Sequence, residues 1–153
     1  MRIRKRDAII VEVIAAVLIL VFTYTAISKF LDQQTFRAVI SQSSLIGESA
    51  SVLSWVLPVF ELITSLLLFI PASRLVGLLL SFVLMILFTG YVAYNLLYVS
   101  NLPCSCGGVV SSLSWNQHLV MNIFLTVLSI VGIIIHTDHK LFIAINRASR
   151  TPV

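Results

Sequence analysis

The chain has 153 residues, 59% hydrophobic and 10% charged, with a formal net charge of +4. Soluble domains carry about 25% charged residues, so this composition excludes an ordinary water-soluble fold and points to a membrane protein. The charge does not mark a nucleic-acid binder, because the cations stand at the ends of apolar runs and form no single patch.

Arg2, Arg4, Lys5 and Arg6 open the chain, and an apolar run follows from Ala8 to Ile27. A cleaved signal peptide has an apolar core of about 7–15 residues and a small-residue cleavage site. This run has the length of a bilayer span, about 20 residues, so it reads as a retained first helix over about 8–28. Asp32 has the side chain of a helix N-cap. Phe36, Val39 and Ile40 follow at helical spacing. A short interfacial helix on the membrane surface fits this stretch, and so does a plain loop.

The second span covers about 52–70, with Pro58 expected to kink it and Glu61 near mid-membrane. Pro71 to Arg74 forms a turn. The third span runs over about 75–98, a loop over 99–117, and the fourth span over about 118–136. The tail carries Lys140, Arg147 and Arg150, and its Leu141, Phe142 and Ile145 suit a membrane surface. The expected fold is therefore all-α: a polytopic four-transmembrane-helix bundle forming a single unit over 1–153. Gly77, Gly90 and Gly132 are placed to let helices approach closely.

Four spans put both termini on one side. Eight of the ten cations then share that side, and only Lys29 and Arg37 lie on the other. The positive-inside rule makes the termini cytoplasmic and the 99–117 loop extracytoplasmic. Trp55 and Trp115 fall near the outer boundary, where indole rings are favoured.

That loop holds the chain's two cysteines, Cys104 and Cys106, between Pro103 and Gly107-Gly108. In a non-reducing compartment such a pair can persist as a disulfide. A ring this small is a poor staple, because it removes little unfolded-state entropy. A strained, exposed bridge is instead prone to exchange. Exchange-active pair, inert bridge and free thiols or metal ligands all remain open on spacing alone. No set of four zinc ligands accompanies them. Lys29 or Arg37, if near the loop, would favour the thiolate.

Glu61 is costly in mid-membrane and should face other helices or a wet cavity. Its readings are a structural intramembrane hydrogen bond and a direct functional role, either carrying protons or holding a polar group of a cofactor. Tyr91, Tyr94 and Tyr98 share one face of the third helix beside Asn95, while His118 and Asn122 begin the fourth. These residues line a pocket for a membrane quinone, position the cysteine loop, or form an aromatic belt with interhelical hydrogen bonds. His118 is either a proton shuttle or a solvated boundary residue.

Ser28-Lys29-Phe30 with Phe36, Leu57-Pro58 with Glu61, Cys104-Ser105-Cys106-Gly107-Gly108, and Leu113-Ser114-Trp115 through Asn122 together resemble the MauE/DoxX-like redox-associated membrane proteins. The resemblance covers about Tyr24 to Ile135. Gly107 stands where the family usually has an aromatic residue, and Met121 where it often has arginine. The resemblance implies a bacterial inner-membrane protein that helps form disulfides in exported proteins beside an extracytoplasmic thioredoxin-fold partner. In the namesake this serves maturation of methylamine dehydrogenase. Cys104 and Cys106 would then be the catalytic pair of a thiol–disulfide oxidoreductase, and a membrane quinone the eventual acceptor. A non-enzymatic scaffold and a small-solute transporter using Glu61 are the competing classes.

Overall fold

The computed structural model of the chain describes residues 2–43, 46–98 and 114–148. Cys104, Cys106 and most of the 99–117 loop lie outside the described residues. Five α-helices run in order: α1 Arg2–Leu31, α2 Gln33–Ser41, α3 Ala50–Phe69, α4 Arg74–Tyr98 and α5 Trp115–Ala148, with a 3₁₀ turn at Gly47–Ser49 before α3. There is no strand among the described residues.

Four of these helices contain windows long and apolar enough to cross a bilayer: Arg6–Leu31, Gly47–Phe69, Arg74–Tyr98 and Asn116–Asp138. The surface supports the same conclusion. Leu20, Leu66, Phe69, Leu87, Val120 and Phe124 face outward, while Ser54, Glu61, Thr64, Ser65, Ser81, Asn95, Asn122 and Ser129 are buried. An apolar exterior over a partly polar interior is stable in lipid, where polar groups must find partners inside the protein. The chain is a multi-pass membrane protein.

α1 packs on α3 and α5, and α4 packs on the same two helices, so the four long helices close a square. Ile14, Leu18 and Phe22 of α1 meet Leu68 of α3, Leu78, Leu84 and Met85 of α4, and Leu125 of α5 in the core. The apolar residues of α1 recur at i, i+4 and i+8, one stripe of a helix.

Three local features differ from what the chain alone leads one to expect. α2 is a helix, but it does not simply rest on a surface: Val39 and Ile40 are buried, and the helix packs against α3. Asp32 precedes α2 without a side-chain cap bond; its backbone carbonyl accepts from Phe36 N at 3.1 Å instead. The tail is not a separate element, because α5 continues through Ala148. At 1.5 Å per residue its 34 residues span about 50 Å, longer than the hydrocarbon core of about 30 Å.

α3 runs through the buried Pro58 without interruption. Its C-terminal carbonyls are closed off by the turn that follows. Ser73 Oγ donates to Leu67 O at 3.0 Å and Arg74 Nε to Leu68 O at 3.3 Å, supplying donors that the helix end lacks. Arg74 also lies 3.7 Å from the exposed Glu12 carboxylate of α1.

Candidate functional site

The site begins with the way two antiparallel helices aim their side chains. In a helix each Cα–Cβ bond tilts toward the N-terminus. α1 ends, and α3 starts, at the end of the bundle where α2 lies. Lys29, near the end of α1, therefore leans inward along the bundle. Glu61, halfway down α3, leans back toward α2. The two meet: Lys29 Nζ and Glu61 Oε1 form an ion pair and hydrogen bond. The Glu61 side chain is 1% exposed and that of Lys29 17%.

The seam around them is polar. Thr25 Oγ1 is 3.3 Å from Glu61 Oε2 and 3.2 Å from Phe22 O, so its one hydrogen serves either acceptor. One turn further along, Thr23 Oγ1 donates to Ser65 Oγ at 3.2 Å. At the α2 end, Gln33 Nε2 donates to Ser54 Oγ at 3.4 Å. The Lys29 ammonium also lies 5.4 Å from the ring centroid of Phe36 and 4.9 Å from that of Phe88. Both distances are within the range in which a ring face attracts a cation.

A cavity of about 460 Å³ opens beside the pair. Thr25, Lys29 and Glu61 form one part of its wall, and Phe36 and Ile40 of α2 close over it. Phe88, Gly90 and Tyr91 of α4 and His118, Met121 and Asn122 of α5 complete it. Its size is that of a small-molecule pocket, and its chemistry also fits one: mostly apolar walls with a few placed polar groups.

The residues singled out from the sequence divide into four sets. Glu61, Tyr91, His118 and Asn122 line this cavity. Asn95 is buried, and its Nδ2 donates to Tyr91 O on its own helix at 2.8 Å. Tyr94 and Tyr98 do not line the cavity; their rings pair with centroids 5.0 Å apart, and Tyr98 is exposed. Cys104 and Cys106 lie outside the described residues. The segment that carries them leaves α4 at Tyr98 and rejoins at Ser114, before α5. Both anchor points are at the α2 end, the end on which the cavity is built.

Lys29 is not a free cation. Its ammonium is held by Glu61, so Arg37 is the other cation that stays exposed on α2. The sequence marked Lys29 only as an outer-side cation and not as the partner of Glu61, because the expected first helix ended before it. Continuing α1 by one turn puts Lys29 four residues after Thr25 and seven after Phe22, on the stripe that faces α3. Phe88 carried no comparable signal, since an aromatic residue is ordinary in an apolar helix.

Residues 7–135 match the family model described as methylamine utilisation protein MauE. Neither a curated protein nor a solved structure matches the chain.

Proposed function

The chain belongs to the methylamine utilisation protein MauE family, and from that premise we propose that it is a membrane thiol–disulfide exchange protein. The family takes its name from methylamine utilisation. The observation that carries the reading is the pair Cys104 and Cys106, one residue apart in the segment joining α4 to α5. That segment starts and ends at the α2 end of the bundle. Arg6 and Arg74 lie at the opposite end, with the other residues of the basic N-terminus. By the positive-inside rule the cysteine segment faces the extracytoplasmic space of a bacterial inner membrane, where disulfides persist.

The partner is a thioredoxin-fold dithiol protein acting on exported substrates. A partner thiolate attacks one sulfur of the Cys104–Cys106 bridge, and that S–S bond breaks as a mixed disulfide forms. The partner's second thiolate then displaces the chain. The partner leaves oxidised, and Cys104 and Cys106 are left as two thiols carrying the two electrons and two protons. A membrane quinone resets the pair.

Cysteine trapping tests this reading. With Cys104→Ser or Cys106→Ser the remaining thiol cannot close the internal ring. One of the two variants should accumulate a mixed disulfide with a periplasmic protein, seen as a reductant-sensitive band in non-reducing gels. The double variant should show no such band and no oxidation of the partner. Full partner oxidation in the double variant would leave the cysteines a docking role only.

A further inference from the structure

We propose that the cavity between Lys29, Glu61 and Phe88 binds the ring of a membrane quinone, with Lys29 Nζ as hydrogen-bond donor to one ring carbonyl. The inference rests on the thiol–disulfide reading for its electron donor, but the site is built entirely from other residues.

Position comes first. The lining residues of α1, α3, α4 and α5 all fall within the four candidate membrane spans. A ligand held among these mostly apolar walls is itself largely apolar. Charge then narrows the class. Lys29 alone would select an anion such as a fatty-acid carboxylate or a lipid phosphate. Glu61 pairs with it, so the two together carry no net charge. A carboxylate ligand would meet Glu61 at close range, and a cationic amine would meet Lys29. The ligand that fits is neutral and accepts hydrogen bonds. An ammonium has three donors, so the bond to Glu61 leaves others for a carbonyl oxygen.

Shape supports a flat ring. The Phe36 and Phe88 rings flank the ammonium, offering apolar faces to a ring that reaches it. Gly90 lines the cavity, and a Cβ added there would meet nothing within 4 Å. Asn122 on the α5 wall is buried and polar, placing a second hydrogen-bonding side chain in the same cavity.

The reaction this serves balances. Two thiols lose two electrons and two protons as the Cys104–Cys106 bond forms. The quinone gains both, and its two carbonyl oxygens become hydroxyls. Negative charge builds on the carbonyl oxygens during transfer, and a fixed ammonium at one of them stabilises it.

The test uses the full chain in lipid nanodiscs, with decylubiquinone binding measured by equilibrium dialysis and an azidoquinone used for photolabelling and peptide mapping. Wild type should bind saturably, with label on the α4 or α5 wall, and oleate should not compete. Gly90→Leu adds bulk at the exposed rim of the cavity while leaving both members of the ion pair in place. Lys29→Met/Glu61→Leu removes the donor while keeping the site neutral. Each should weaken binding about tenfold or more, the scale of losing a charged hydrogen bond or the pocket itself. Binding that is unsaturable in wild type, unchanged in both variants, or displaced by oleate as readily as by quinone overturns the proposal. The Cys104→Ser/Cys106→Ser protein separates the two ideas. Quinone binding there should match wild type. Wild-type binding with cysteines that never oxidise supports the site and sinks the thiol reading. Partner trapping without any quinone binding does the reverse.

Discussion

Lys29→Met will lower the unfolding free energy by about 3–5 kcal/mol, the usual cost of leaving one member of a buried ion pair without its partner. Adding Glu61→Leu will return most of that loss. The reasoning turns on where each charge sits. The Glu61 side chain is 1% exposed and lies halfway along a membrane helix, so without Lys29 its carboxyl keeps the Thr25 hydroxyl as its side-chain partner among the described residues. Lys29 is close to the end of α1 and 17% exposed. Its long stem can carry the ammonium toward the boundary when Glu61 is absent. Glu61→Leu alone should therefore cost less than Lys29→Met alone. The measurement is a denaturant titration in mixed micelles, followed by circular dichroism. A double variant no more stable than Lys29→Met would show that the orphaned carboxyl is not the source of the loss.

Alanine at two glycines of α4 should have effects of opposite sign. At Gly77 an added Cβ would lie 2.7 Å from Leu68 N and 2.9 Å from Leu67 C, both backbone atoms of α3. A backbone cannot swing aside as a side chain can. Gly77→Ala must therefore force the α3–α4 turn apart, costing about 1–3 kcal/mol. At Gly90 nothing lies within 4 Å, and Gly90→Ala should gain up to about 1 kcal/mol from helix propensity. Thermal unfolding of both variants in one detergent reads the contrast directly. Equal shifts for the two would mean that the α3–α4 approach is looser than the geometry requires. Of the three glycines expected to mediate close packing, Gly77 does so against backbone and Gly132 against the side chains of Leu78 and Ile14. Gly90 is instead exposed and borders the cavity.

The polar side chains show how far a linear reading carries. Glu61 stands out in the sequence because an acid in an apolar run must find a partner inside the bundle. Its partner does not stand out, because Lys29 is 32 residues away and looked like a boundary cation. Helical spacing put Tyr91, Tyr94 and Tyr98 on one face. Spacing does not say how far along that face a cavity extends, and here it includes Tyr91 and stops short of Tyr94 and Tyr98.

What the chain determines by itself is its class and topology. Four apolar runs of bilayer length require helices, since a backbone in lipid has to satisfy its own hydrogen bonds. The cysteine pair is equally legible, as the two thiols of the chain and neighbours but one. What tertiary structure alone decides is the rotation of each helix about its axis and where each one ends. Those settings turn Lys29 inward onto Glu61, fold α2 over the bundle, and leave space beside Gly90. They come from packing between distant segments, where an interior fills to close contact wherever side chains allow, and no local pattern in the sequence encodes them.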